Sequence, residues 1–352
     1  MKIKINKKII SNNNPTYFIA DIAANHDGSL ARAKKLIRLC AKSGADAAKF
    51  QHFRAESIVL DEGFKKIGKI THQKKWKESV FKVYKKASIN PKWTKVLSDE
   101  CKKYKIDFLT APYDLNYVDQ VNKYIPAYKI GSGDITWKEI IIKIAKKNKP
   151  VLLACGASTL EETIDAVRLI LKYNKKVVLM QCNTNYTNEQ SNINYINLNV
   201  IKQFKKIFKK KVILGLSDHT KGHATVLGSI TLGAKVIEKH FTIDKSLPGP
   251  DHSSSLTPDE FKRLVNSIRE TEISLGNKIK MPTSIEKINS IGMRRSIVIK
   301  KPIKKNTIIT EDLLTFKRPS DGIKPSLIDY FLGKKVNKDL NIDDNISFSD
   351  IY

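Results

Sequence analysis

The sequence has no long hydrophobic run, few cysteines and few arginines. No stretch approaches about 18 uninterrupted apolar residues, the length that a membrane-spanning helix needs, and the first ten residues lack the apolar stretch of a signal peptide. The four cysteines lie far apart without a CxxC spacing, and they are Cys40, Cys101, Cys155 and Cys182. Scattered thiols in hydrophobic patterns are typical of reduced, buried cysteines. The sequence therefore predicts a soluble, cytoplasmic protein that does not associate with membranes.

Acidic residues are scarce relative to basic ones. The chain has 64 Lys and Arg but only 35 Asp and Glu, which gives a formal net charge of +29. Only nine of the basic residues are arginine, and the lysines are spread through every segment together with Ile and Asn. Nucleic-acid-binding proteins more often concentrate Arg and Lys on one element. The charge therefore indicates a compositional bias and predicts no nucleic-acid partner, although it can steer anionic substrates towards the protein.

Short apolar runs alternate with amphipathic helical stretches from residue 17 to about residue 275. Brief continuous apolar runs are typical of parallel strands buried on both faces. Eight such runs are found, at residues 17–24, 47–50, 107–110, 127–130, 151–154, 177–181, 212–216 and 236–240. Eight strand–helix pairs in about 260 residues match a closed (β/α)₈ barrel. An open doubly wound sheet is less favoured, because no GxGxxG turn follows the first strand.

The chain of 352 residues suits one large and one small domain. We predict a barrel domain over residues 1–277, a linker over residues 278–292, and a small β-rich domain over residues 293–352. The segment 56–88 is long and lysine-rich, and it separates the second strand from its helix. Such loops carry specificity in barrel enzymes, so this insertion is predicted to be a lid or an interface element.

Polar residues follow almost every predicted strand, at the end where barrel enzymes carry their active sites. His219 follows the seventh strand and His240 ends the eighth, and these strands are neighbours in a closed barrel. Two imidazoles from adjacent strand ends can chelate one divalent cation and leave open positions for substrate oxygens. A single histidine would more often only form a hydrogen bond, but the pair favours a metal site.

Two lysines, Lys49 and Lys129, are predicted to point into the same barrel mouth. Burying a lysine without an anion is costly, so two of them predict a strongly anionic ligand. Three hydroxyl residues suit a phosphate group, and they are Thr110, Ser132 and Ser217. Asp21 and Asp134 are candidates for acid–base chemistry or for orienting a nucleophilic water. The alternative is that the lysines form structural ion pairs with Asp21, Asp134 or Glu238.

Several of these segments resemble the sialic acid synthases, a family of nonulosonate synthases. The matching barrel segments are IADIAANHDG at 19–28, GADAAKFQ at 44–51, YKIGS at 128–132, LSDHT at 216–220, VIEKHF at 236–241 and PGPDH at 248–252. The C-terminal part of the chain resembles the antifreeze-like (SAF) domain at the C-terminus of that family. The matching residues are Arg294, Arg295, Ser296, Lys317, Arg318, Pro319, Gly322 and Ile323. The resemblance covers almost the whole chain in the same order.

The resemblance implies condensation of phosphoenolpyruvate with an N-acylmannosamine-like hexose, which gives a nine-carbon 2-keto acid and phosphate. It implies that His219 and His240 bind Mn²⁺ or Mg²⁺. Phosphoenolpyruvate would be held by Lys49, Thr110, Lys129, Ser132 and Ser217, and the sugar by Gln51, Asp134, Tyr186 and Asp251. Arg318 would reach the N-acyl group from the partner subunit of a domain-swapped homodimer.

The chain departs from the family pattern at three positions that matter for chemistry. Asp21 and Asp134 stand where the family usually has glutamate, and Ala154 replaces a serine. These changes indicate a subfamily with another acceptor sugar, such as a legionaminate or pseudaminate precursor. Two alternatives remain open: a related enzyme that condenses phosphoenolpyruvate with a phosphorylated aldose, and a non-catalytic sugar-binding homologue.

Overall fold

The computed structural model describes residues 1–68, 73, 76–187 and 189–352, and it divides the chain into two compact units. The first unit is Met1–Gly276 and the second is Asn277–Tyr352. Part of the predicted insertion at 56–88 therefore lies outside the described residues. Within the described part of the chain, no helix is long and apolar enough to cross a membrane.

Eight parallel strands of the first unit close into a barrel, as predicted. They are β3 (Tyr17–Ala23), β4 (Ala47–His52), β5 (Asp107–Pro112), β6 (Tyr128–Ile130), β7 (Val151–Ala154), β8 (Val177–Cys182), β9 (Ile213–Asp218) and β10 (Val236–His240). The barrel closes because β10 pairs with β3. Several strands extend one or two residues beyond their predicted ends. In β4 and β9 the added polar residues remain in the ladder, and His52 and Asp218 have side-chain partners there.

Helices connect the strands of the barrel. They are α1 (Leu30–Lys42), α2 (Ala55–Ile58), α3 (Asp61–Ile67), α4 (Val80–Ala87), α5 (Trp93–Lys103), α6 (Leu115–Val121), α7 (Lys138–Ala145), α8 (Leu160–Tyr173), α9 (Asn199–Phe208), α10 (Ala224–Thr231) and α11 (Pro258–Ser274). Local sequence sets several helix starts: Thr159 and Thr257 each form a capping box with the glutamate three residues on. The outward apolar side chains of the strands pack against these helices.

A hairpin of β1 (Ile3–Ile5) and β2 (Lys8–Ile10) packs against the apolar interior of the barrel. Ile3, Ile5 and Ile10 belong to the same buried cluster as the inward side chains of the strands. These inward residues include Tyr17, whose hydroxyl donates a hydrogen bond to Asp107 over 2.6 Å. The hairpin therefore completes the core on the side of the barrel where the strands begin.

The second unit has its own small core. It contains helix α12 (Ser284–Met293) and an antiparallel pair of strands, β11 (Ser296–Ile299) and β12 (Leu314–Lys317). Aliphatic residues from both strands and from the following turns form its buried cluster around Phe331. The segment predicted as a linker, residues 278–292, is not extended throughout, since α12 begins at a capping box of Thr283 and Glu286.

The hairpin leads to a stability prediction. Ile5→Ala removes a fully buried side chain and should lower the free energy of unfolding by about 2–5 kcal/mol. Ile9→Ala is the matched control on the same hairpin, because its side chain is 47% exposed and the change should stay within about 0.5 kcal/mol. Urea denaturation followed by circular dichroism measures both. Equal effects would show that the hairpin does not contribute to the core.

Candidate functional site

The site is built on the period-two alternation of the barrel strands. Side chains at every second position point into the barrel, and near the strand ends this interior layer changes from apolar to charged. Asp21 of β3 lies opposite Lys49 of β4 and His240 of β10 in the strand register. The barrel therefore brings together residues that are far apart in the sequence.

Four charged side chains form an ion-paired cluster in this layer, each no more than 5% exposed. Lys49 Nζ lies 2.7 Å from Asp21 Oδ2 and 3.7 Å from Glu238 Oε1. Lys129 Nζ lies 3.3 Å from the same Glu238 oxygen, which also accepts a hydrogen bond from Ser217 over 3.1 Å. The other oxygen of Glu238 has no hydrogen-bond partner among the described residues. Two buried carboxylates thus form ion pairs with the two buried lysines.

The pKa values of this cluster follow from burial and charge. Burial alone would raise the pKa of Glu238, but the charges of Lys129 and Lys49 lower it to about 2. Burial would also lower the pKa of Lys49, yet Asp21 and Glu238 raise it above its ordinary value. Both groups therefore stay charged at neutral pH. Glu238 was considered only as a structural partner, although its spacing of two from His240 places both side chains on the interior face.

The two predicted metal ligands are close together. The rings of His219 and His240 have centroids 5.2 Å apart. The Nδ1 atom of His219 lies 2.6 Å from the carbonyl oxygen of Asn183, so it carries the proton and Nε2 keeps its lone pair. Burial, with the neighbouring His240, lowers the pKa of His219 to about 3. His219 is therefore a neutral imidazole at physiological pH, the form that binds metals.

The donor set fits a divalent cation bound by few protein ligands. The Nδ1 atom of His240 is buried without a hydrogen-bond partner in the described part of the chain, and its Nε2 lies 3.7 Å from Asp21. The described residues contain no cluster of three or more His, Cys, Asp or Glu side chains arranged to hold a metal. Two neighbouring imidazoles suit a first-row divalent ion whose remaining positions are filled by oxygen ligands from outside the protein.

A cavity of about 1070 Å³ lies beside Tyr186, whose ring neighbours the histidine pair. Its walls come from the segments after β3, β8 and β10 and from the predicted insertion, which contributes Trp76, Val83 and Ala87. Tyr186 connects the two regions, because it lines the cavity and its ring centroid lies 4.2 Å from that of His219. The cavity is therefore a space in which a ligand could bind beside the charged layer.

Four of the charged side chains that line the cavity form two ion pairs. Arg32 forms an ion pair with Asp27, and Lys86 Nζ lies 2.7 Å from Glu78. All four side chains line the cavity, and Lys77 is an exposed cation of the same lining. Apolar residues such as Leu247 and Pro248 supply much of the remaining wall.

Of the other predicted site residues, two accept hydrogen bonds from backbone amides and two are half-buried near the strand ends. Ser132 accepts a hydrogen bond from the amide of Gly156 over 2.9 Å, and Asp251 accepts one from the amide of Ala24 over 3.3 Å. Gln51, at the end of β4, and Asp134, after β6, are half-buried. Burial raises the pKa of Asp134 to about 6, although Lys129 opposes this shift.

Of the two remaining predicted residues, one lies outside this group and the other belongs to the second unit. Thr110 is adjacent to the inward-facing Leu109 and is therefore on the opposite face of β5. Its hydroxyl donates to the carbonyl of Phe50 over 3.0 Å and contacts His52 Nδ1 at 2.8 Å. Arg318 belongs to the second unit, where its peptide bond with Pro319 is cis.

One residue of the interior layer was not predicted. Cys182 ends β8 on the same face as Met180, and a Cβ atom added at Gly156 would lie 3.1 Å from its sulfur. Its Sγ atom is 3.8 Å from His219 Nδ1. The period-two alternation of β8 is the signal that identifies it, whereas its apolar neighbours suggested only a core thiol.

Comparisons with known proteins extend over both units. The sequence matches the model of the NeuB family over residues 36–280 and that of the SAF domain over residues 294–351. It is 39% identical to the N,N'-diacetyllegionaminic acid synthase of Campylobacter jejuni over 94% of this chain and 98% of that protein. It is 30% identical to the human N-acetylneuraminate-9-phosphate synthase over 96% of this chain and 93% of that protein.

A solved structure agrees with these matches. The N-acetylneuraminic acid synthetase of Leptospira borgpetersenii, determined in complex with citrate, superimposes with a TM-score of 0.71 at 27% identity. The alignment covers 82% of this chain and 95% of that one. With the closed barrel and the β-containing second unit, these matches confirm the resemblance found in the motifs: the chain belongs to the NeuB family and carries a C-terminal SAF domain.

Proposed function

We propose that this chain condenses phosphoenolpyruvate with the open-chain aldehyde of an N-acylated amino hexose, giving a nine-carbon 2-keto sugar acid and phosphate. The observation that carries the proposal is the interior layer in which Lys49 and Lys129 lie beside His219 and His240. Two lysines suit the phosphate and carboxylate of phosphoenolpyruvate. The relatives are acid synthases of this class by name, which supports the same reaction.

The lysines would hold phosphoenolpyruvate with its C3 atom towards the aldehyde, with help from Ser132 and Ser217. C3 forms a bond to the aldehyde carbon while the aldehyde oxygen takes up a proton. Water adds to the resulting cationic C2 and loses one proton. The C2–O bond to phosphate then breaks while the C2 hydroxyl passes its proton to the phosphate, which gives the ketone. Asp21 and Asp134 would orient the water and accept its proton. A divalent cation such as Mn²⁺ or Mg²⁺, held by His219 and His240, would polarise the aldehyde oxygen.

The cavity beside Tyr186 would take the acceptor, together with Gln51 and Asp251. Among the described residues that line the cavity, Arg32 and Lys86 are already paired with Asp27 and Glu78, so exposed Lys77 is the remaining cation for a second phosphate. Its apolar walls suit acyl and deoxy-methyl groups. These features favour a neutral acceptor over a phosphorylated aldose.

An assay of phosphate release from phosphoenolpyruvate with Mn²⁺ tests the reaction and the acceptor together. We expect release with N-acetylmannosamine or with a 2,4-diacetamido-6-deoxyhexose, and at most slow release with N-acetylmannosamine 6-phosphate or arabinose 5-phosphate. EDTA should abolish the activity. Faster turnover of a phosphorylated aldose would contradict the proposal of a neutral acceptor. Absence of phosphate release with every sugar would contradict the proposed condensation.

His219→Ala supplies the control for the metal in that assay, with Mn²⁺ binding followed by electron paramagnetic resonance. Loss of a ligand should lower activity by at least about 100-fold, beyond the 10–100-fold typical of changes around a metal. His223→Ala is the matched control, because His223 lies at the start of α10, outside the interior layer. Full activity of His219→Ala would remove the metal assignment.

Asp134 predicts a pH dependence. Only its deprotonated form can accept a proton, so kcat should fall as the pH decreases through about 6. Asp134→Asn should be slow and should lack this acidic limb. The control, Asp119→Asn, changes an exposed carboxylate that is paired with Lys143 over 2.8 Å, and it should keep the limb. An unchanged limb in Asp134→Asn would assign the titration to another group.

We further propose that the active enzyme is a homodimer in which Arg318 completes the site of the partner. The support is an apolar surface on α12 and its flanks, where none of the helix residues is buried. Its exposed side chains are Ile279, Met281, Ile285, Ile288, Ile291 and Met293. Contiguous exposed apolar surface marks interaction sites, and symmetric dimers are the commonest assemblies.

Mixing two inactive variants tests this arrangement. Arg318→Ala and His219→Ala should each be impaired as homodimers. After subunit exchange, the mixed dimer has one site with intact histidines and a partner arginine, so activity should return. The oligomeric state is checked by light scattering. Failure to recover activity in mixed dimers would place Arg318 outside the partner's site.

A further inference from the structure

A second ion pair lies directly behind the two histidines. Asp218 precedes His219 and Lys239 precedes His240, and the two residues lie opposite each other in the register of β9 and β10. Their charged groups are 2.8 Å apart, with side-chain exposures of 1% for Lys239 and 0% for Asp218. Because neighbouring side chains of a strand point to opposite faces, this pair faces the helices while the imidazoles face the interior.

Further hydrogen bonds fix this pair. Asp218 accepts one from the amide of Thr220 over 3.1 Å and one from the hydroxyl of Thr225, in α10, over 2.9 Å. Lys239 donates a second hydrogen bond to the carbonyl of Thr220 over 2.5 Å. The pair therefore ties the ends of both strands to the chain on either side of His219.

Stability alone does not account for such a pair. Burying an ion pair costs the desolvation free energy of both charges. Replacing the pair with apolar residues of similar volume often leaves the stability of the fold unchanged or raises it. His219, however, lies one residue beyond the end of β9 and lacks a place in the ladder. Anchoring the outward residue before each histidine would fix the rotation of the strand about its axis, and with it the direction of the imidazole.

We propose that Asp218 and Lys239 are positioning residues that set the spacing and orientation of His219 and His240 for a divalent cation. The inference rests on the proposed metal role of the histidines. Neither residue contacts the substrates or the cation, and the pair acts only through the backbone of the two strands. Loss of the pair therefore weakens metal binding even where the fold remains intact.

The experiment separates metal affinity from stability in three variants. They are Asp218→Asn, Lys239→Met and the double variant Asp218→Leu with Lys239→Met. Mn²⁺ affinity is measured by electron paramagnetic resonance of free Mn²⁺, and stability by urea denaturation in EDTA. We expect each variant to bind Mn²⁺ about 10–100-fold more weakly, the range found for residues that orient metal ligands. The double variant should recover stability relative to Lys239→Met, but not metal affinity.

Lys235→Met is the matched control. Lys235 precedes β10 at its other end and pairs with Glu272 at 3.6 Å, so its loss should leave Mn²⁺ affinity unchanged. Wild-type affinity in the double variant would overturn the positioning role and leave the pair purely structural. If Lys239→Met does not fold, Asp218→Asn, which keeps an acceptor oxygen, carries the test with the same criterion.

The outcomes distinguish this inference from the proposed reaction. Mn²⁺ binding without turnover by the native chain would refute the condensation, and the variant series would still decide the role of the pair. Absence of Mn²⁺ binding in the native chain would overturn the metal role and the positioning role together. Weakened binding in all three variants, with binding retained in Lys235→Met, supports the pair whatever the acceptor is.

Discussion

The charge balance inside the barrel, where two lysines meet two carboxylates, is the constraint on which the rest of the site depends. Burial would favour the neutral form of Lys49, but Asp21 and Glu238 keep it charged, and Lys129 contacts the same Glu238 oxygen. Glu238 lies within 4 Å of both lysines through one oxygen. An anion that enters would therefore compete with Glu238 for the same ammonium groups.

This balance also separates the carboxylates by their chemistry. Within the lysine cluster the pKa of Glu238 falls to about 2, whereas burial of Asp134 raises its pKa to about 6. Environments that push carboxylate pKa values apart assign different roles to them. Glu238 is thus suited to hold charge in place, and Asp134 is suited to exchange protons near neutral pH.

Much of this arrangement could be predicted from the sequence, because buried parallel strands have a simple signature. The eight apolar runs correspond to the eight strands, and the residues at their ends converge. Thr110 and Glu238 show where the prediction was incomplete, since both depend on which face of a strand each residue occupies. Asp218 is a further example. A charged residue predicts the end of a buried strand, but Asp218 remains in β9, where it pairs with the buried Lys239.

Sequence patterns could not predict which side chains meet when they are far apart in the chain. The cavity combines loops after three strands with the insertion, and its charge depends on pairs such as Lys86 with Glu78. The helix α12 lies in the segment predicted as a linker, and none of its residues is buried in the structure.

The departures from the family pattern bear on whether the chain is an enzyme at all. A shorter carboxylate could have moved away from the cluster, which would favour a sugar-binding homologue without catalysis. Asp21 nevertheless lies 2.7 Å from Lys49 and 3.7 Å from His240. Ala154 lies beside Met180 in the register, in a layer where Cys182 and Ser132 occupy the space around Gly156. Asp21 therefore keeps its carboxylate close to both a lysine and an imidazole, so its shorter side chain alters the shape of the site more than its charges.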